Sequence, residues 1–258
     1  MRHEHGMAYV MLGRTEKLED IFISGDIDFN GISCYHVALT ESNRLLTKFK
    51  ESESKKMEEN KDSLTISYLN IRSLKNKVNA ITKTPPLMQS DVLALGETWL
   101  KSHEIIEFDG FQSFFASHGR GKGIAVYSKH DPICEPQVFS NEHLSLMVFK
   151  LNNCTAVFLY RSQDCEESFL CSMLENVITQ EVPMVIMGDV NIDSEKQSVL
   201  KSYLTEKMFV QQIKKPTFDN GSTLDHLYVN ALMQNFQIEQ TSVYFTDHDV
   251  ITLKIKRS

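Results

Sequence analysis

The sequence predicts an α+β fold, and three observations point to it. Apolar runs of strand length recur through residues 63–258. Several of them end in a carboxylate, a carboxamide or a tyrosine. The runs are joined partly by turns and partly by stretches of helical period, which is the pattern of layered sheets and helices. An apolar run that stops at a polar residue is how a sheet presents chemistry at its rim.

The elements follow in order. Leu64-Thr65-Ile66-Ser67-Tyr68-Leu69 runs into Asn70 and makes a strand at 64–70. Residues 74–83 have helical period, and Pro85-Pro86 ends that helix. Val92-Leu93-Ala94-Leu95-Gly96 leads to Glu97 and makes a strand at 92–97. Further strands fall at 123–128 and 145–150. Ala156-Val157-Phe158-Leu159 carries Tyr160 at the end of a strand at 155–160. A helix over 168–181 puts Leu170, Met173, Leu174 and Val177 on one face, with Ser168 as its cap. Met184-Val185-Ile186-Met187-Gly188 ends in Asp189, with Asn191 beyond, and makes a strand at 184–189. A weaker helical period covers 196–207. Asp225 opens a strand at 225–229, and Asp247-His248 precede the last strand, 251–255.

Composition bounds the function. The chain has 258 residues, 41% hydrophobic and 24% charged, with a formal net charge of −7. That is ordinary for a globular protein with a sizeable core. It is not a basic nucleic-acid coating protein, although a divalent cation can offset carboxylates in a site. Five cysteines without a Cys-x-x-Cys fit reduced thiols rather than a disulfide framework or zinc site. The N-terminus is no signal peptide, and no apolar run reaches the ~18–20 residues that span a bilayer. A soluble intracellular monomer without membrane contact is expected. Residues 50–62 hold almost no apolar surface and read as a charged linker between residues 1–49 and residues 63–258.

The polar residues at the strand ends are oxygen donors plus one histidine, a set suited to a hard metal and to phosphodiester hydrolysis. Glu97 follows a buried run, and a buried glutamate needs a partner. Asp189 and Asn191 are two apart, so on extended backbone they face the same way and would place a base beside an amide. The same residues also read as an ordinary strand exit. Asp247 and His248 are adjacent, so sharing a pocket requires irregular backbone. Tyr160 reads equally as a packed strand-end aromatic.

Seven phrases in fixed order resemble the endonuclease/exonuclease/phosphatase superfamily: LNIRSL (69–74), DVLALGETWL (91–100), GRGKGIAVYS (119–128), LYR (159–161), VIMGDVNID (185–193), STLDHLYV (222–229) and TDHDVITLKI (246–255). They look most like the apurinic-type endonuclease domain of non-LTR retrotransposons. The resemblance implies a four-layered sandwich of two packed β-sheets flanked by helices, acting on DNA with Mg²⁺, or Mn²⁺ as a substitute. It implies that Glu97 is the principal metal ligand, with Asn70 beside it and Asp247 on the metal side. Asp189 would activate water and Asn191 would position it. Tyr160 and His248 would face the phosphate, with Asp225 orienting His248. Arg120, Lys122, Lys75 and Arg161 are candidate contacts to the nucleic acid, as is Lys77. Lysines and arginines of this kind also read as solvated surface.

The sequence departs from the family's pattern at Arg72, where many repair-type members carry an aspartate. It departs again at Ser162, in place of a proline, and at Lys122, in place of a glycine. Phosphoesterases for other substrates share the fold, and a catalytically silent, co-opted nucleic-acid-binding protein is the rival reading. Residues 5–23 resemble the last motif of superfamily 1 helicases of Helitron-like transposons. Arg14 takes the place of the arginine that reaches the nucleotide, and Gly13 replaces the family's serine. The chain has no Gly-x-x-x-x-Gly-Lys-Ser/Thr loop, so no ATP chemistry is expected. The resemblance implies that residues 1–49 are a helicase-derived appendage of a transposon protein, with the nucleus as its expected place of action.

Overall fold

The computed structural model describes residues 63–256, together with Arg44 and Thr47 as isolated helical positions. The helicase-like stretch and the charged linker lie outside the described residues. Two six-stranded sheets make up the rest. The first takes β1 (Ser63–Asn70), β2 (Val92–Gly96), β3 (Gln112–Ala116), β4 (Ile124–Ser128), β11 (Phe236–Thr241) and β12 (Val250–Lys256), in the order β11-β12-β1-β2-β4-β3. The second takes β5 (Gln137–Ser140), β6 (Leu144–Lys150), β7 (Thr155–Arg161), β8 (Met184–Asp189), β9 (Phe209–Gln211) and β10 (Asp225–Asn230), in the order β5-β6-β7-β8-β10-β9. At the centre of each sheet lies one parallel pair, β1 with β2 and β7 with β8; the other pairings are antiparallel.

Three apolar layers hold the sheets. Ile66, Tyr68, Phe149, Phe158, Met187, Leu227 and Leu253 are buried in a cluster that draws on both sheets. On the second sheet, Val157, Leu159 and Ile186 pack with Leu170 and Leu174 of α3 (Glu167–Glu175) and with Leu200 and Leu204 of α4 (Val199–Glu206). On the first, Leu93, Leu95 and Tyr127 pack with Ile81 of α1 (Val78–Thr82) and Leu87 of α2 (Pro85–Gln89). Central strands covered on both faces read as unbroken apolar runs. The expected two-sheet sandwich is the observed one.

Four strands escape the sequence reading: β3, β5, β9 and β11. These are the four edge strands. Each buries one face or less, as the alternating exposure of Phe236–Thr241 illustrates, so none carries a continuous apolar run. The helix expected at 74–83 shrinks to Val78–Thr82. The segment that leads into it is tied to the exit of β2, through Ile71 N–H to the Gly96 carbonyl, Ser73 N–H to Glu97 and Leu74 N–H to Thr98, each 2.9–3.0 Å. Pro85-Pro86, expected to end a helix, opens α2, where a missing N–H costs nothing. Ser168 does not cap α3, which begins after Glu166 without a side-chain cap; it is Ser198 that caps α4, accepting from Lys201 N–H at 3.1 Å.

Gly188 sits where β8 presses on β7. A Cβ there would meet the Leu159 carbonyl oxygen at 1.9 Å, and a backbone atom has no rotamer to escape into. Gly188→Ala is therefore expected to destabilise the chain by roughly 3 kcal/mol, the upper end for overpacking. Urea unfolding measures this, and a midpoint unchanged from the parent would count against the packing described.

Candidate active site

Asn70 ends β1, and Glu97 follows β2. The parallel register sets Asn70 opposite Gly96, so the two side chains emerge as neighbours. In the second sheet the register sets Tyr160 beside Asp189 and Asp189 beside Asp225, placing three polar residues in one row. Asp247 and His248 lie just before β12. His248 is fixed to the loop after β9 by a bridge with Phe218.

The two rows are joined through Asn70. Its Nδ2 donates to Glu97 Oε1 at 3.0 Å and to Asp189 Oδ2 at 2.8 Å, linking the sheets. Its Oδ1 accepts from Arg72 N–H at 3.2 Å, which orients the amide. The second Glu97 oxygen accepts from Trp99 Nε1 at 3.2 Å. Asp189 is buried; Asn191 N–H donates to its Oδ1 at 2.8 Å, and its own backbone N–H donates to the Tyr68 hydroxyl, which accepts, at 3.0 Å. His248 Nδ1 lies 2.7 Å from Asp225 Oδ2, both groups buried. An imidazole next to a carboxylate donates through that nitrogen, so Nε2 is left for another partner. Asp225 Oδ1 is buried with no hydrogen-bond partner among the described residues. One oxygen-donor or ring-nitrogen atom from each of Asp189, Asp225 and His248 lies within 4.8 Å of the others, close enough to share an ion.

The electrostatics follow from burial. Burial, then the charge of Asp225, raises the Asp189 carboxyl far above the ordinary range, against the opposing pull of His248, Asn191 N–H and the Asn70 amide. Burial alone would lower His248. The hydrogen bond and charge of Asp225, with Asp189 and Asp247 behind it, outweigh that and raise it. Tyr160 is raised by burial first, then by the charges of Glu97 and Asp189. Among the described residues no lysine or arginine pairs with Glu97, Asp189 or Asp225. A site with this carboxylate surplus, an orphaned buried oxygen and oxygen donors apart from His248 fits a hard divalent cation.

Asn70, Glu97, Tyr160, Asp189, Asn191, Asp225 and His248 come together at this end of the sheets. Several expected arrangements differ. Asn191 does not face the site by strand alternation, because its backbone turns left-handed at φ 52°. Its amide Nδ2 is also engaged, donating to the Arg161 carbonyl at 2.7 Å. Asp247 and His248 take different partners. His248 turns inward to Asp225, whereas Asp247 turns out to an ion pair with Arg72. Arg161, expected at the nucleic-acid face, is buried, with its guanidinium bonded to the Val190 and Cys165 carbonyls. Lys75 pairs with Glu104, and Lys77 donates to the Ile71 carbonyl at 2.6 Å. Arg120 is exposed, with its guanidinium 5.7 Å from the centre of the Trp99 ring. Lys122 is half-buried beside it in sequence.

Two residues were missed. Tyr68 supports Asp189 from inside the sandwich, and its spacing of two from Asn70 on one strand was the available signal. Gly96 makes room for it, since a Cβ there would stand 2.1 Å from the Tyr68 hydroxyl. Thr217 accepts from Leu224 and Asp225 N–H at 3.1 and 3.0 Å, and so sets the start of β10. Nothing in the sequence marks it.

No family model and no curated protein matches the sequence. Solved structures match the fold. The endonuclease domain of TRAS1, a telomere-specific non-LTR retrotransposon, aligns with TM-score 0.58 at 15% identity, covering 75% of this chain and 98% of that one. An AP endonuclease from Archaeoglobus fulgidus aligns with TM-score 0.59 at 15% identity, covering 74% and 98%. The endonuclease/exonuclease/phosphatase from Beutenbergia cavernae DSM 12333 aligns with TM-score 0.57 at 14% identity, covering 76% and 72%. The chain has the endonuclease/exonuclease/phosphatase fold. At these identities the likeness is one of fold. No helix among the described residues is long and apolar enough to cross a membrane.

The raised Asp189 and His248 groups make the metal-free protein pH-sensitive. Each has a folded pKa above its unfolded value, so each contributes stability at low pH that is lost as pH rises through the folded value. Buried His226, which burial lowers, works in the opposite sense as pH rises through the ordinary imidazole range, so thermal melts in EDTA should show a melting temperature that falls from pH 7 to pH 8.5. A rise over that window would contradict the arrangement.

Proposed function

We propose that the chain hydrolyses phosphodiesters with the help of a divalent cation, and that its substrate is DNA, which it nicks. The observation that carries this reading is the meeting of Glu97, Asp189, Asp225 and His248, drawn from both sheets, at one end of the sandwich. Two features support DNA. The resemblance of the motifs is to retrotransposon endonucleases, and the rim near Glu97 carries Trp99 with Arg120 over it, a pairing able to stack on bases and reach phosphates.

Glu97, with Asn70 beside it, would hold Mg²⁺, or Mn²⁺ in its place. The bound cation supplies charge neutralisation for the phosphate and for the carboxylates around it. Asp189, once ionised, accepts a proton from the attacking water. Asn70 and Asn191 N–H hold the Asp189 carboxylate in place for that transfer. His248, kept cationic by Asp225, donates from Nε2 to a phosphate oxygen as charge builds there. Tyr160, kept protonated by its surroundings, offers a second donor. The parts are preorganised by strands rather than loops, so little reorganisation accompanies reaction.

Supercoiled plasmid reports on this directly. Nicking should require Mg²⁺ or Mn²⁺ and stop in EDTA. Asp189→Ala should lower the rate by ~10²–10⁴, the usual loss for a general base. Glu97→Gln should weaken Mg²⁺ binding while leaving the melting temperature in EDTA close to the parent's. Nicking that persists in EDTA would sink the proposal.

We place the enzyme within residues 63–258, with residues 1–49 and the linker 50–62 as an appendage of transposon-helicase origin acting in the nucleus. A chain beginning at Ser63 should then fold and keep its plasmid-nicking rate. The full chain should hydrolyse no ATP, with or without DNA. Failure of the shorter chain to fold would join residues 1–49 to the enzyme's core.

A further inference from the structure

Arg72 lies next to the proposed metal position but is not used by the mechanism above. It follows Asn70 by two residues, in backbone of φ 42°, an unfavourable region for a residue with a Cβ. Its guanidinium is bonded to Asp247 and lies 5.4 Å from the centre of the Phe218 ring. Phe218 in turn packs on His248, with ring centres 4.8 Å apart. Among the described residues the guanidinium donates to Asp247 alone. A guanidinium has five N–H donors, so most remain open at a site that is to receive an anion.

The side chains of Arg72 and Asp247 are 43% and 28% exposed, and a pair that open to water adds little to stability. Its consequence is electrostatic placement. A carboxylate already matched by a guanidinium presents no net charge to a dication, and the fixed positive charge repels one. Glu97 is the opposite case, with both oxygens held by neutral N–H donors and no cationic partner among the described residues.

We propose that Arg72 is the site's resident cation: it keeps Asp247 out of metal coordination, confines the divalent ion to Glu97, and directs its open N–H donors at the substrate phosphate. The inference rests on the metal-dependent reading of the site and adds which carboxylates the metal takes. One fixed charge and one exchangeable ion then share the work of neutralising the phosphate.

Mn²⁺ binding to the full chain, followed by calorimetry and by electron paramagnetic resonance in the absence of DNA, tests it. The unaltered chain should bind one Mn²⁺. Glu97→Gln should weaken that binding about tenfold or more, on the order of the affinity lost with a metal-site interaction. Asp247→Asn should leave it within about twofold. Arg72→Gln frees Asp247, so Mn²⁺ should bind more tightly or gain a second equivalent, and that gain should vanish in Arg72→Gln/Asp247→Asn. Loss of Mn²⁺ on Asp247→Asn as complete as on Glu97→Gln overturns the inference alone, as does unchanged binding in a folded Arg72→Gln. Should Arg72→Gln not fold, the comparison of Asp247→Asn with Glu97→Gln decides. No Mn²⁺ binding to the unaltered chain overturns the functional reading, and this inference with it.

Discussion

A carboxylate buried between two sheets, with no lysine or arginine paired to it among the described residues, is the constraint on which this structure depends. Asp189 is tolerated because donors arrive from both directions: Asn191 N–H from its own strand exit and the Asn70 amide from the facing sheet. The bond from Asp189 N–H to Tyr68 adds a second tie across the same gap. His248 with Asp225 makes a third. Hydrogen bonds to charged or partly charged groups are the stronger ones, and leaving any of these atoms unmet would cost about 1–3 kcal/mol. The sheets are therefore held in register at this end by polar contacts that only one relative placement satisfies. Elsewhere between them, apolar packing tolerates more than one solution.

How much was legible follows from burial. The eight strands read from sequence are those covered on both faces, where the apolar run is unbroken. The four unread strands line the edges, where sequence need only alternate or be short. The helices were legible as period but not at their ends. Leu74, where the helix was read to begin, sends its N–H to the 96–98 backbone, as do Ile71 and Ser73 before it. That long-range pairing leaves no trace in the local pattern.

The site was legible as a set of residue types and only partly as geometry. Glu97, Asp189, Asp225 and His248 were marked by apolar runs ending in polar groups. What local reasoning could not supply was direction. Asp247 and His248 diverge, Asn191 reaches its place through a left-handed turn, and Arg161 spends its charge inward on carbonyls. Each depends on which neighbour lies across the gap, and the neighbours come from distant parts of the chain. Glu97 itself adopts φ 49°, so the backbone that aims its carboxylate is strained in a way that no propensity predicts.

The parallel pair at the centre of each sheet has a consequence for how the site is assembled. Antiparallel neighbours end at opposite edges, so their last residues are far apart; parallel neighbours end together. β1 with β2 delivers Asn70 and Glu97 side by side, and β7 with β8 delivers Tyr160 and Asp189 in the same way. In each sheet an antiparallel strand, β12 or β10, closes the row from the other side. The two halves of the sandwich thus share one plan, and the reactive centre is a seam between like edges. In the proposed mechanism one edge gathers negative charge for a cation and the other gathers it for a water proton. Such a seam has no hinge of its own: its precision is inherited from the two registers, and a slip of one residue in either would turn half of the chemistry to the wrong face.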